Sequence, residues 1–356
     1  MTDYALGFPG KYIQGPGAID RLGTIAAAYC KAPLVMADGF VRDLLEDRLS
    51  ASLKAAGLNF SFETFGGECS RTEFCRIAEA GRTAGSDLVI AVGGGKALDA
   101  GKAAAAEMGV DVVSVPTIAS TDAPASSVAV EYSDTHVIVG ALRFPRAPIA
   151  VIVDSQIIAE APPHLLAAGM GDALATWVEA RTCRKAGRDN MHGGRIPDTA
   201  MVLAERCYDL ILTHGREAMA AVRQHQVTDA LEQVIEANVF LSGVGFQNTG
   251  VAGAHALDGA IGHFTDSHDS QHGERVGVGI LMQLHLEGAE DEIAALSLFY
   301  KDVGLPRTLA AVDLPDMSDD DLDRLAGFVM RDGSPIRNMH IDVTRAEVAA
   351  ALAKLR

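Results

Sequence analysis

Cysteine is scarce and scattered in this chain. Among 356 residues there are five, Cys30, Cys69, Cys75, Cys183 and Cys207, an odd number with no C-x-x-C pair and no zinc-knuckle spacing. That excludes a disulfide framework and a thiolate metal site, and reduced thiols fit the cytoplasm. Long apolar runs are missing as well, since no uninterrupted stretch reaches the ~18 to 20 residues of a membrane span. The N-terminal MTDYALGFPGKYIQGPG lacks the basic start and apolar core of a secretory signal. A soluble, cytoplasmic protein with no membrane partner is expected. Positive charge is also in deficit: 30 Lys and Arg stand against 47 Asp and Glu, a net charge of −17. Most of the surface then repels a polyanion, so nucleic acid is not an expected partner, and a small anionic ligand needs a local exception.

What the chain has instead is glycine in telling places. Residues 89–105 read VIAVGGGKALDAGKAAA, an apolar run suited to a buried parallel strand, three glycines, and an alanine-rich run suited to a helix. A strand-to-helix turn without side chains lets a ligand approach the backbone, and the free N–H groups of the first helical turn attract an anion such as phosphate. The spacing matches neither G-x-G-x-x-G nor the P-loop pattern, because position 98 is Leu and Gly101-Lys102 lacks its partners. A plain tight turn beside a core strand remains an alternative on this segment alone.

Length favours two domains. From about residue 30 to 155, apolar runs alternate with helical stretches: LVMAD at 34–38, FSFETF at 60–65, DLVIAVGG at 87–94, VDVVSVPT at 110–117 and IAVIVD at 149–154. This alternation implies a parallel sheet with helices on both faces, and such sheets bind ligands at the carboxyl ends of their strands. Asp38, the glycines at 93–95 and the stretch 116–122 all follow predicted strand ends. After Pro162-Pro163, Ala- and Leu-rich segments take over, with helical spacing at 166–181 and helical stretches at 198–220, 226–263, 274–302 and 318–330, and a short C-terminal helix. The expected fold class is α/β plus all-α, with residues 1–161 as a sheet domain and 162–356 as a helical domain.

Some polar residues in the helical half do not fit a core pattern. Asp172 lies in AAGMGDALATWVEA with Ala168, Gly169 and Gly171 about it, His255 in GVAGAHALDGAIGH, and His272 in SHDSQHGERVGVG. Glycine in a helix costs roughly 1 kcal/mol relative to alanine, so the cluster of small residues suggests a close approach. One Asp and two His from separate segments can hold a divalent metal with a position left open for substrate. An acid on a solvated helical face and ordinary histidines are the plainer alternatives, and His263 and His268 with Asp266 and Asp269 offer other combinations.

Over nearly its whole length the chain resembles the zinc-dependent glycerol dehydrogenases of the iron-containing (group III) alcohol dehydrogenase superfamily. The resemblance rests on AVGGGKALDAGKA at 91–103, VPTIASTDAPAS at 115–126, LLAAGMGDALATWVEART at 165–182, VTDALEQVIEANVFLSGVGF at 227–246, GAHALDG at 253–259 and HGERVGVG at 272–279. It implies an N-terminal Rossmann-like dinucleotide domain and a C-terminal helical domain, with the active site in the cleft between them. It assigns zinc, with iron(II) as an alternative, to Asp172, His255 and His272, and a substrate hydroxyl to Asp122. It places NAD on Gly93, Gly94, Gly95 and Lys96 through the pyrophosphate, on Thr117 and Ser120, on Ser126, Val128 and Tyr132 at the nicotinamide half, and on Asp38 through the adenine ribose. Asp38 would repel a 2′-phosphate, favouring NAD over NADP, with Arg42 nearby as a counterweight.

The implied reaction is oxidation of glycerol, or a related small polyol, to dihydroxyacetone or the matching hydroxyketone. Hydride passes to C4 of the nicotinamide, and the implied assembly is a homo-oligomer, octamers included. Two departures, Gln247-Asn248-Thr249 where an acid, serine and glycine are usual and the stretch 133–148, are expected near the substrate side or the outer edge, which makes another small hydroxy compound an alternative substrate. A dehydroquinate synthase-like lyase and a non-catalytic NAD-binding protein are the readings from other classes.

Overall fold

Aliphatic and β-branched runs become strands here because both of their faces can be covered. A computed structural model describes residues 3–134, 137–265 and 269–356. Eight strands occur among them: β1 Tyr12–Gly15, β2 Pro33–Ala37, β3 Ser61–Thr64, β4 Leu88–Gly93, β5 Asp111–Pro116, β6 Val128–Tyr132, β7 Ile138–Arg143 and β8 Ala150–Asp154. Six form one wholly parallel sheet in the order β1-β8-β5-β4-β2-β3, and β6 pairs with β7 as an antiparallel hairpin. Leu34, Met36, Val89 and Ala91 pack under helices Arg71–Ala84 and Gly95–Met108 on one face, while Val35, Ala37, Ile90 and Val92 pack under helix Gly39–Ala55 on the other. Central strands β2, β4 and β8 are buried throughout, as covering both faces requires, and edge strands β1 and β3 are partly exposed.

The order reverses at β2. The chain runs outward from β2 to β3, then returns to place β4 on the other side of β2. A crevice opens at the carboxyl ends of two such strands because their connections leave in opposite directions. Asp38 follows β2 and Gly94-Gly95 follow β4, so both flank that crevice. Helix Gly95–Met108 sits unusually close over β4, since a Cβ on Gly101 would lie 2.3 Å from the Ala91 Cβ.

Beyond β8 and a short helix Ser155–Glu160, the longer elements among the described residues are helices: Pro163–Lys185, Asp198–Val222, Asp229–Ile235 continued by a π-turn Glu236–Leu241 and by Ser242–Thr249, Gly253–Phe264, His272–Glu287, Glu290–Val303, Asp319–Val329 and Arg345–Ala353. Two stretches expected as single helices are divided. The run 226–263 breaks at Gly250, whose φ of +110° lies outside the helical region, and 274–302 breaks at Gly288, with φ +71°. Their apolar spacing continues across the breaks, so periodicity alone missed them. The helices share one large core that also takes in Val151 and Val153 of β8 and Ala119 and Ala125 of the loop after β5. No helix among the described residues is long and apolar enough to cross a membrane.

Candidate metal centre and cofactor cleft

Three helices converge on Asp172. It projects from the middle of Pro163–Lys185, a helix that approaches its neighbours closely. A Cβ on Gly169 would lie 1.9 Å from the Ala119 carbonyl oxygen, and one on Gly171 2.2 Å from that of Gly273. His255 comes from the first turn of Gly253–Phe264, just past the Gly250 break, and His272 opens the helix His272–Glu287. The ligand atoms of Asp172, His255 and His272 all lie within 4.8 Å of one another. His263 lies elsewhere, its ring 6.2 Å from that of Phe328. Asp266 and His268 lie outside the described residues.

The orientation of each side chain is fixed from behind. His255 Nδ1 is 2.6 Å from Glu179 Oε2, and His272 Nδ1 is 3.0 Å from Asp258 Oδ2. A carboxylate only accepts, so each Nδ1 carries the proton and each Nε2 is turned toward Asp172. Glu179 spends its other oxygen on the backbone N–H groups of Ala252 and His255, at 2.7 and 3.0 Å. Asp258 spends its other oxygen on Arg275 Nε, at 2.6 Å. Asp172 accepts the Asp122 N–H on Oδ2 at 3.0 Å, while its Oδ1 is buried without a hydrogen bond. That Oδ1 stands 3.5 Å from His255 Nε2 and 3.4 Å from His272 Nε2. Those gaps are long for hydrogen bonds, yet two donors bound tetrahedrally at 2.0–2.1 Å to one ion are separated by about 3.3 Å. The orphaned oxygen and its two imidazoles therefore fit a small divalent cation.

Electrostatics agree with that fit. Burial works against a charged His272, but Asp258 and Asp172 outweigh it and hold its pKa up at about 10; His255 is likewise held well above the ordinary range by Glu179 and Asp172 against the same burial penalty. Asp172 resists its own burial through the two imidazoles and stays below the usual carboxylate range. Burial, then the Asp172 charge, push Asp122 up to about 8. The cluster thus calls for positive charge, from protons or from a metal.

Across the cleft lies the glycine loop. Gly94 caps helix Gly95–Met108 without any side-chain hydrogen bond, so the first N–H groups of this helix meet no internal acceptor there. Cβ atoms on Gly94 and Gly95 would come within 3.0 Å of Ile118 and Thr121, and one on Gly93 would lie 3.9 Å from Asp38 Oδ2. Asp38 Oδ1 caps helix Gly39–Ala55 through Val41 N at 2.9 Å. Thr117 N donates to the Gly93 carbonyl at 3.1 Å, which ties the buried Thr117–Ser120 loop to the glycines. Lys96 turns sideways, with Nζ 2.7 Å from Glu68 Oε2 and 4.7 Å from the centre of the Tyr132 ring. Ser126 and Val128 are buried, and behind them Lys102 donates to the carbonyls of Ala123 and Val128 and pairs with Asp99 at 2.8 Å.

Sequence reasoning passed over Glu179, Asp258, Arg275, Lys102 and Asn238. Asn238, in the π-turn, donates from Nδ2 to the carbonyls of Ala119 and Leu166 at 2.9 and 3.1 Å, which fastens the Thr117–Asp122 loop to the Asp172 helix. The departures at 247–249 are buried, and two of them reach the N-terminal arm. Gln247 Oε1 accepts from Ser127 N and Oγ, while Gln247 and Asn248 donate to the Gly7 carbonyl, so these fully buried amides clasp the N-terminal arm.

Comparison with known proteins follows the same lines. The sequence profile of the iron-containing alcohol dehydrogenases matches residues 9–155. A glycerol dehydrogenase of Escherichia coli O6:H1 is 45% identical over 345 residues, 97% of this chain and 94% of the relative. A glycolaldehyde reductase of Halobacterium salinarum is 40% identical over the same shares. The crystal structure of a probable glycerol dehydrogenase from Sinorhizobium meliloti 1021 superposes with a TM-score of 0.93 at 39% identity, covering 99% of this chain and 98% of that one. With such identity held across both the sheet and the helices, this chain belongs to the iron-containing alcohol dehydrogenase family.

Proposed function

We propose that the chain oxidises glycerol, or a related small vicinal diol, to dihydroxyacetone or the matching hydroxyketone, using NAD and a divalent metal, zinc or iron(II). The observation that carries this reading is the orphaned Asp172 Oδ1 facing the Nε2 atoms of His255 and His272 beside the carboxyl ends of β4 and β5. The relatives named glycerol dehydrogenase support the substrate class. Bound there, the metal supplies a Lewis acid for a substrate oxygen, and the nicotinamide supplies the hydride acceptor. Asp122 hydrogen-bonds a substrate hydroxyl on this reading, which the tie of its backbone N–H to Asp172 supports by keeping it beside the metal ligands. Gly93, Gly94 and Gly95 take the diphosphate at the helix N-terminus, Thr117 and Ser120 close the loop beside it, and Ser126, Val128 and Tyr132 line the nicotinamide side. On this reading Lys96 exchanges Glu68 for the diphosphate. Asp38 accepts from the adenine ribose hydroxyls; Arg42, drawn to Glu46 at 2.6 Å and tied to its own helix, is not poised for a 2′-phosphate, so NAD is preferred.

The same reading divides the chain into a dinucleotide domain, 1–161, and a metal and substrate domain, 162–356, and places it in the cytoplasm as a homo-oligomer. Exposed Tyr4, Leu6 and Phe8 on the N-terminal arm are apolar surface that such an assembly would cover. The 40% identity with a glycolaldehyde reductase keeps a different small hydroxy compound as the second reading of the substrate.

A panel of diols, polyols and hydroxy acids, assayed with NAD and with NADP alongside metal analysis, tests the proposal. We expect about one divalent ion per chain, turnover of glycerol or another vicinal diol with NAD, and loss of both metal and turnover in a folded His255→Ala variant. Full activity in that variant without metal would overturn the reading.

A further inference from the structure

The two imidazoles of the cluster are backed differently. Behind His255 stands Glu179, whose second oxygen meets only neutral backbone N–H groups. Behind His272 stands Asp258, whose second oxygen meets a guanidinium, Arg275 Nε, at 2.6 Å. Arg275 is largely buried and anchored on its far side, where Nη1 donates to the Ser270 carbonyl at 2.7 Å. Asp313 lies beyond Ser270, held to its hydroxyl, and Arg331 lies on the outer side of Gly259, so one anion and one cation flank the arrangement further out.

A carboxylate behind a ligating imidazole raises its donor strength, and a cation on that carboxylate takes part of the effect back. Counting only the groups paired with the two imidazoles and with their backing carboxylates, Asp172, Glu179 and Asp258 against Arg275 leave two negative charges, the complement of one divalent cation. Without Arg275 the shell would be more negative than the ion is positive. It would grip the metal harder while quenching the pull the metal exerts on a substrate oxygen.

We propose that Arg275 is a positioning residue that weakens His272 as a donor through Asp258, trading metal affinity for Lewis acidity at the open coordination position. The inference rests on the metal-dependent reading above and adds to it a part for a residue that touches neither metal nor substrate. A residue that only held the fold together would lose metal affinity and rate together when replaced. A charge-setting residue moves them in opposite directions.

The test compares wild type, Arg275→Met and Arg275→Lys after chelator treatment, measuring zinc affinity by competition with a chromophoric chelator and the first-turnover rate of zinc-loaded enzyme with glycerol and NAD. A unit charge removed this close to the ion in a partly buried site should tighten zinc by about tenfold or more and slow the first turnover by about tenfold. R275K, which retains the charge, should restore the wild-type zinc affinity. Weaker or unchanged zinc binding in R275M overturns the proposal. If R275M does not fold, R275K alone decides, because a tenfold change in its zinc affinity would show that charge is not what Arg275 supplies. A wild-type protein that neither takes up zinc nor reduces NAD with any diol refutes the underlying reading, whereas a normal wild type with no tightening in R275M refutes this inference alone.

Discussion

At the scale of single residues, the site is a set of hydrogen bonds that leave selected lone pairs unused. Asp172 gives one oxygen to the Asp122 N–H and keeps the other bare, and each histidine gives Nδ1 to a carboxylate so that Nε2 is free. The histidines pay for that arrangement in protons. The surrounding carboxylates raise the pKa of both, so in the metal-free chain a proton competes with the metal for each Nε2, and a metal binds only the neutral imidazole. Loading zinc near pH 7.5 should therefore release protons, and apparent affinity should rise with pH until His272 deprotonates near pH 10. Calorimetric titration in buffers of different ionisation enthalpy reads this directly; a heat independent of buffer would mean that the imidazoles are not the ligands.

Sequence spacing left several histidine combinations open because the ligands come from three helices far apart in the chain, and the family resemblance chose among them. Glu179 and Asp258 were within reach of periodicity. Glu179 follows Asp172 by two helical turns, and Asp258 follows His255 by one, so each shares a face with a candidate ligand.

At the scale of elements, the helix Gly95–Met108 carries the diphosphate end of the cleft on the proposed reading, and its position depends on the absence of one side chain. Gly101 faces Ala91 of β4 so closely that any Cβ must push the helix outward. Gly101→Val should destabilise the protein by about 1–3 kcal/mol through overpacking. Because the displaced helix also bears Gly95 at its first turn, NAD affinity should fall several-fold in the same variant. Thermal unfolding and a fluorescence titration with NAD check both; a stable variant with unaltered NAD affinity would mean that the helix position is not critical.

The elements differ in how plainly the sequence announces them. β2, β4 and β8 are almost wholly apolar runs, and β5 is broken within its apolar stretch only by the buried Ser114, since parallel strands covered on both faces have no polar side, and they read directly. β1, with the residues YIQG, is too short and too polar to register, and it is a strand because β8 offers it an open edge. The π-turn at Glu236–Leu241 is invisible to periodicity, because residues 237–249 are buried on almost every side and leave no single apolar face whose shift would mark the extra residue. It nevertheless sets Asn238 against the Ala119 carbonyl.

At the scale of the whole molecule, the sheet and the helices are clasped through the site itself. The Asp122 N–H reaches Asp172, Asn238 reaches Ala119, and Gln247 joins Ser127 to the N-terminal arm. Composition forecast the bulk properties, an acidic chain of free thiols, but could not forecast the clasp, because apart from the Asp172 carboxylate it is made of amides and backbone groups that carry no charge or periodicity. A cation on Asp172, His255 and His272 would pin three helices to one point and, through Asp122, hold the loop after β5 as well. An unfolded chain offers no such preformed set, so binding energy becomes folding energy. Free metal at a hundred times its dissociation constant should add about 2.7 kcal/mol. The unfolding midpoint of chelator-treated protein should rise by several degrees on adding zinc, fall back with chelator, and stay unmoved in His255→Ala. A bound ion that leaves the midpoint of the native sequence unchanged would have to sit on the surface, and the clasp would then owe nothing to metal.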